Sequence, residues 1–433
     1  MGFSVRRSFC GATTPPVALA NVFVAAVLAV VGAVAIQPAS TGAMVEQPDP
    51  IEMVAVGDMA DCPATAPAEV GVLLDELPGE ILGLGDYTYT GGTAAAFANC
   101  FGPAFGRHKT RFLPAVGNHE YDSGSAQPYV DYFGPIAGDI DELYYVTQRG
   151  NWQILVLNSN CWEVGGCAVG KPQYNWLQGV LAASAPDVCR IVTMHHPRWS
   201  SYSTYGSQQY LAPMLELLEA AGTDLLLTGH SHHYERFAAQ SVDAELDDKG
   251  IRQITVGTGG VALRTPDVVA PNSLVRRTDY GVLTLDLLED SWGLEFVGVG
   301  DAGVLDRASD TCVNAPVLQV TESQAPLYRL YKAVFLRRPD QAGLDYWTGI
   351  SNEGVSLMSI AGLFADSAEF TNRYSAVGDD EFLTLLYRNT LGRTPDPAGY
   401  AYWQQQMASG VDRGRIVIAF SEADEFIRRT PLR

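Results

Sequence analysis

The sequence predicts a layered α/β domain followed by an all-α repeat. Three observations carry this reading. Between Ile51 and about Val299, short apolar runs of strand length alternate with segments of helical periodicity, the pattern of sheets covered by helices. Five of those runs end on a polar residue that can bind metal: Val56-Gly-Asp58, Leu84-Gly-Asp86-Tyr-Thr-Tyr89, Val116-Gly-Asn118-His119-Glu120, Val192-Thr-Met-His195-His196-Pro197 and Leu227-Thr-Gly-His230-Ser-His232. Beyond Pro326 the chain repeats itself with a gapless 56-residue period and contains no histidine.

Residues 1–43 read as an export signal, because Arg6-Arg7 precedes the apolar run Val17–Ile36 and small residues follow at Thr41-Gly-Ala43. Arg6-Arg7-Ser8-Phe9 loosely resembles a twin-arginine signal. An ordinary secretory signal is the equal alternative, and a retained anchor is a third, since the run is long enough to span a bilayer. Its removal takes away Arg6, Arg7 and Cys10, moving the net charge from −21 to −23 and leaving six cysteines. In an exported chain an even number of cysteines reads as disulfides. Cys161 and Cys167 bracket a short loop, Trp-Glu-Val-Gly-Gly, and are the first pair expected. So acidic a chain does not suit a nucleic-acid partner. An anionic substrate must be held by local cations instead.

Taken in order, Ile51–Val56 reads as a strand and Pro67–Leu77 as a helix. Glu80–Leu84 and Phe112–Val116 are strands on either side of an Ala-rich helix near Thr93. Leu143–Val146 and Trp152–Asn158 form a hairpin around Arg149-Gly-Asn151. Tyr174–Ala183 is a helix with Trp176, Leu177, Val180 and Leu181 at helical spacing. Arg190–Met194 is a strand, Ser207–Ala221 a helix and Asp224–Thr228 a strand. An all-β section closes the domain: Arg252–Val256, Tyr280–Leu288 and Trp292–Val299. Ligands of such folds lie beyond the carboxyl ends of the strands. Every candidate residue falls there.

The domain boundaries expected are 1–43 for the signal, 44–316 for the α/β domain, 317–326 for a linker and 327–433 for the helical domain. In the last, Leu330-Tyr331 recurs as Leu386-Tyr387, Tyr346-Trp347 as Tyr402-Trp403, and Glu369-Phe370 as Glu425-Phe426. Each unit reads helix, Pro-Asp-x-x-Gly turn, helix, helix. The repeated aromatics are core. Residues 321–433 hold 12 basic and 14 acidic side chains, so the acidity lies in the first domain. The helical domain carries no metal or nucleophile constellation, which leaves a cell-surface or matrix contact as its expected role. Oligomeric state is not written in the sequence.

Asp58, Asp86, Tyr89, Asn118, His195, His230 and His232 are too many donors for one tetrahedral ion and suit two ions sharing a carboxylate. Alternation in an extended segment would place His230 and His232 on one side, within reach of a common centre. A phenol of pKa ~10 ionises as a ligand only beside a strong Lewis acid, so Tyr89 points to ferric iron. Its alternative is a core tyrosine, because Tyr87 and Tyr89 alternate with threonines.

The order GD, GDxxY, GNHE, HxP, GHxH resembles that of the calcineurin-like metallophosphoesterases, and GDxxY that of their purple acid phosphatase branch. The likeness covers about Glu52 to Cys312 and includes Ile254–Gly260 and the HSHHYER run. Most of the wider superfamily has a histidine two residues after the first aspartate, where this chain has Ala60. Losing that ligand while gaining Tyr89 is what the purple acid phosphatase set looks like. The resemblance implies a four-layer α/β/β/α sandwich. It implies Fe(III) held by Asp58, Asp86, Tyr89 and His232, and a second divalent ion (Fe, Zn or Mn) held by Asp86, Asn118, His195 and His230. It also implies that His119 faces substrate, able to contact phosphate or protonate the leaving alkoxide. His196 beside a ligand is either a second substrate contact or polar packing, while His233 has the wrong parity and is structural. The C-terminal repeat resembles a domain of unknown function appended to bacterial exported proteins.

The sequence therefore leads to an exported phosphatase that hydrolyses phosphate monoesters by attack of a metal-bound hydroxide, with His119 and His196 as catalytic residues. A phosphodiesterase using manganese or zinc is the alternative within enzymes. A surface or adhesion protein on an inactive phosphatase scaffold is the alternative outside them.

Overall fold

Strands that are apolar on both faces need cover on both sides, and the chain provides it by stacking two sheets between two helical layers. The structure, a computed structural model, describes residues 50–433 except 63, 90, 205, 316, 317, 336, 340, 368, 371–373, 375–377, 392 and 431–433. The proposed export signal lies outside the described residues.

The strands are β1 (Ile51–Val56), β2 (Glu80–Leu84), β3 (Phe112–Ala115), β4 (Tyr145–Arg149), β5 (Trp152–Val156), β6 (Cys189–Thr193), β7 (Leu225–Thr228), β8 (Tyr234–Phe237), β9 (Arg252–Val256), β10 (Ser273–Arg277), β11 (Gly281–Leu287), β12 (Ser291–Gly298) and β13 (Val304–Thr311). One sheet has the order β13-β12-β11-β1-β2-β3 and the other β10-β8-β9-β7-β6-β5-β4. Both are mixed: β1, β2 and β3 run parallel, as do β5, β6, β7 and β9, while the remaining pairs are antiparallel.

Side chains alternate across each strand. Met53, Leu82, Leu113, Ile154, Ile191, Leu283 and Phe296 therefore fill the space between the sheets. The opposite face of the first sheet packs Val54 and Ile81 against Val70 and Leu74 of helix Ala66–Glu76 and against Phe97, Phe101 and Phe105. The opposite face of the second packs Leu155, Val192 and Leu226 against Leu177 of helix Pro172–Ala183 and Met214, Leu215 and Leu218 of helix Ala212–Ala220. The result is the α/β/β/α order expected. Each fully buried Leu or Phe contributes roughly 1.5–3 kcal/mol to holding the layers together.

Three strands were not foreseen: β8, β10 and β13. Their polar residues break apolar alternation, and the most buried of them pair across the fold. Arg236 of β8 forms a bidentate pair with Asp306 of β13 (Nε–Oδ2 2.6 Å, Nη2–Oδ1 3.0 Å), and Tyr234 Oη donates to the same carboxylate at 2.8 Å. This pair ties the two sheets at one edge. The expected helix Ser207–Ala221 begins later, as a 3₁₀ turn over Gln209–Leu211 leading into Ala212–Ala220. The expected extended run at His230–His232 is instead a bend, with φ of 70° at His230 and 46° at His232.

Three disulfides form: Cys62–Cys100, Cys161–Cys167 as expected, and Cys189–Cys312. The last joins β6 to the end of the α/β domain across 123 residues.

The C-terminal region is helical, with helices Ala325–Phe335, Gln341–Asn352, Leu357–Ala365, Asp379–Leu386, Pro397–Ala408, Arg413–Ser421 and Asp424–Arg429 around one apolar core. Contacts in its first half have counterparts 56 residues on. Arg337–Glu369 matches Arg393–Glu425, and the ring pair Tyr331–Phe364 at 4.9 Å matches Tyr387–Phe420 at 4.9 Å. Buried Arg338 pairs with Asp290 at 2.8 Å, and Lys332 lies 3.9 Å from Asp310, so the helices dock on the sheet edge through charge.

Candidate metal centre

Every donor named above comes from the turn that follows a parallel strand. Asp58 follows β1, Asp86 and Tyr89 follow β2, Asn118 and His119 follow β3, His195 and His196 follow β6, and His230 and His232 follow β7. These turns meet where the carboxyl ends of the two sheets converge. The backbone there is constrained. Asp58, Asp86, His230 and His232 all have positive φ, at 57°, 55°, 70° and 46°. Such values cost a non-glycine residue energy and mark positions held for a purpose. The neighbouring glycines make room: a Cβ on Gly117 would lie 2.2 Å from Asp86 Oδ1.

The donors fall into two groups that share Asp86. In the first, Tyr89 Oη lies 2.5 Å from Asp58 Oδ1, 3.1 Å from Asp86 Oδ2 and 3.0 Å from His232 Nε2. In the second, His195 Nε2 lies 3.1 Å from Asp86 Oδ2, 3.1 Å from Asn118 Oδ1 and 3.2 Å from His230 Nδ1. Donors bound at ~2.0–2.2 Å to one ion stand about 3 Å from one another. The spacing of both groups fits that requirement. A further cluster, Cys189, Asp224 and Cys312, does not, because the two sulfurs are already bonded to each other.

The second ring nitrogens are fixed. His195 Nδ1 meets Leu84 O at 2.8 Å and His232 Nδ1 meets Ala262 O at 3.1 Å, so each ring donates to a carbonyl and presents Nε2 to the centre. His230 N–H donates to Asp58 Oδ2 at 2.7 Å, and His119 N–H to Asp86 Oδ1 at 2.9 Å. Burial raises the Asp58 carboxyl above its ordinary value against the pull of His232 and His195. Burial also pushes the Tyr89 phenol well up, as do the carboxylates of Asp58 and Asp86. Two buried carboxylates and a phenol packed this closely suit a cation that offsets their charge.

His119 stands at the rim, about one-third exposed, with its ring 4.5 Å from that of Tyr89. Its Nδ1 donates to Asp122 Oδ2 at 2.6 Å, leaving Nε2 toward Asp86 at 3.9 Å. Burial draws its pKa down, but Asp86 and Asp122 outweigh that and raise it. His196 is buried on the other side, its ring 4.4 Å from that of His230. Ser159 Oγ accepts from His196 N at 2.9 Å and lies 2.8 Å from His196 Nδ1. Burial and the neighbouring rings of His195 and His230 keep His196 neutral. His233, also buried, contacts Ser231 O and Glu235, a structural role set by these contacts rather than by strand parity, since the run is a bend.

Glu120 was quoted within its motif but given no role. It is fully buried and accepts from Asp86 N at 2.9 Å, Tyr87 N at 2.8 Å and Gly117 N at 2.8 Å. One carboxylate thus pins the turns after β2 and β3 together. Burial and Asp86 push its acid up to about 7, against the pull of Gly117, His195 and Tyr87. Tyr87 points away from the centre into an aromatic cluster with Phe101, Phe112 and Phe133.

The model of the calcineurin-like phosphoesterases matches residues 53–234, and that of a domain of unknown function, DUF4214, matches residues 361–430. Purple acid phosphatase 15 of Arabidopsis thaliana is 32% identical over 130 residues, 29% of this chain and 23% of that protein. Purple acid phosphatase 21 of the same plant is 34% identical over 117 residues, 25% and 26% of the two. The chain thus spans about a quarter of the length of these relatives. Among solved structures, a purple acid phosphatase from seeds of yellow lupin (Lupinus luteus) has the same fold. Its TM-score is 0.53 at 19% identity, over 63% of this chain and 57% of that one. The chain carries a calcineurin-like metallophosphoesterase domain with purple acid phosphatases as its homologues, joined to a C-terminal domain of unknown function.

Proposed function

We propose that the protein is an exported two-metal phosphatase acting on phosphate monoesters. The observation that carries this is the position of Tyr89 Oη, within 2.5–3.1 Å of Asp58, Asp86 and His232. A phenol held there is suited to ferric iron. Asp58, Asp86, Tyr89 and His232 would hold the iron, and Asp86, Asn118, His195 and His230 a second divalent ion (Fe, Zn or Mn). A bound pair would supply Lewis acidity and a nucleophile at neutral pH, which phosphate-ester hydrolysis needs.

The chain's own groups do the rest. His196 and the one-third-exposed His119 flank the centre, so an ester phosphate would be held between them. His119, oriented by Asp122, would donate its Nε2 proton to the departing oxygen. The three disulfides suit an oxidising compartment. Among the described residues no helix is long and apolar enough to cross a membrane. The matched contacts of the C-terminal helices support reading them as two copies of one unit, whose role would be attachment to a surface or matrix.

The test is a substrate panel on the metal-loaded full chain. Phenyl phosphate is expected to turn over at least about a hundredfold faster than bis-phenyl phosphate, ~2.7 kcal/mol in the barrier; the reverse order would make the protein a phosphodiesterase. His119→Ala is expected to cost about 10²–10³-fold in kcat on an alkyl phosphate, whose leaving group needs a proton, and much less on an activated aryl phosphate. Because the acid form of His119 does this work, kcat/KM on the alkyl ester should fall as pH climbs past the pKa of His119, and that fall should be missing from the variant. Equal losses on both esters, or an unchanged profile in the variant, would remove His119 from proton transfer.

A further inference from the structure

An aromatic wall stands beside the centre, and its outer members, Trp162 and Tyr210, have no part in the roles above. The disulfide Cys161–Cys167 closes a loop of sequence separation 6 soon after β5. Cys161, Val164 and Cys167 are buried in that loop, but Trp162 is 62% exposed. Tryptophan gains more from burial than almost any other side chain. Held out in water by a covalently closed loop, its ring offers a surface that a ligand can cover.

The ring of Trp162 lies edge-on to two others, 5.9 Å from His196 and 6.0 Å from Tyr210. Tyr210 is held in place by its Oη, which donates to Ser159 O at 3.1 Å. Ser159 is the residue whose hydroxyl orients His196. Beyond His196 the next ring is His230, at 4.4 Å. The wall therefore runs without a break from a donor of the centre, through His196, to an exposed indole. Trp162 meets the centre through His196, which places it for what the phosphate is attached to.

We infer that Trp162 and Tyr210 form the subsite for the leaving group and favour monoesters whose leaving group carries a planar aromatic ring, aryl or nucleoside. This rests on the phosphatase reading above and goes beyond it by naming the substrate class. The ring would pack on the indole face while the phosphate occupies the centre. A glycerol phosphate has no ring to offer Trp162.

The test uses the metal-loaded full chain and two inert anions that differ only in the ring, phenylphosphonate and methylphosphonate. By calorimetry the native protein should bind the phenyl compound about three- to tenfold more tightly, the range aromatic contacts give. Trp162→Ala should close the gap and Trp162→Phe should keep most of it. In turnover, Trp162→Ala should lower the kcat/KM ratio of phenyl phosphate, or of a nucleoside 5′-monophosphate, to glycerol phosphate by the same factor. Whichever aromatic ester responds names the source of the ring. Equal affinity for the two phosphonates in the native protein, or an equal loss on both in Trp162→Ala, would overturn the subsite. A protein that hydrolyses no monoester but still prefers phenylphosphonate would overturn the phosphatase reading and leave the subsite standing.

Discussion

Asp86→Ala is expected to strip the protein of both metal ions and to lower turnover at least about a thousandfold, ~4 kcal/mol in the barrier. Asp86 Oδ2 is the one atom within 3.1 Å of both groups of donors, facing Tyr89 Oη on one side and His195 Nε2 on the other. Removing it leaves each group one anionic donor short. It also removes the negative charge that lets His195 and His119 face each other across the centre; those two pull the Asp86 carboxyl below its ordinary value although burial alone would raise it. Asp86→Asn separates charge from shape, because Asn tolerates the positive φ of 55° here better than Ala does. Asn should keep the fold and lose most metal affinity. Metal content by mass spectrometry, with circular dichroism on the same samples, checks both variants. Two ions retained by Asp86→Ala would mean that Asp86 bridges nothing.

Glu120→Ala should damage stability and activity together. Three buried N–H groups would lose their acceptor, at roughly 1–3 kcal/mol each before relaxation. A loss of about 3–5 kcal/mol in denaturant unfolding is expected, since water entering the vacated space recovers part of the cost. Activity should fall more than the unfolded fraction explains, because the freed N–H groups belong to the turns that carry Asp86 and Asn118. Glu120→Gln keeps the shape but turns an amide toward backbone donors, so it should lie between. A stable, fully active Glu120→Ala would show that the two turns hold their positions alone.

Much of this site is legible in the chain because strand ends are punctuated. A buried apolar run followed by Gly and then Asp, Asn or His marks where a parallel strand stops and what it delivers. That rule singles out Asp58, Asp86, Asn118, His195 and His230 as candidates, and the fold gathers them in one place. It reached His232 for the wrong reason: the two histidines share a centre through left-handed turns at both residues rather than through extended alternation. Glu120 stayed hidden because its partners are backbone N–H groups, which no side-chain pattern reports. Trp162 and Tyr210 lie 48 residues apart in sequence, and nothing local links them. The strands β8 and β13 were hidden by Arg236 and Asp306, whose charges read as surface until the fold brings them together. Of the disulfides only Cys161–Cys167 is local enough to read directly; the other two depend on which strands become neighbours.

The account turns on Tyr89, and the visible absorption spectrum of the metal-loaded protein tests it most directly. A phenolate on ferric iron donates charge in visible light, so the protein should be violet or pink. Tyr89→Phe removes one oxygen and little packing; it should bleach the colour, lower activity and leave Asp58, Asp86 and His232 still able to hold a metal. A colourless native protein, fully active with manganese or zinc and indifferent to Tyr89→Phe, would contradict the iron assignment and reduce Tyr89 to a wall of the pocket.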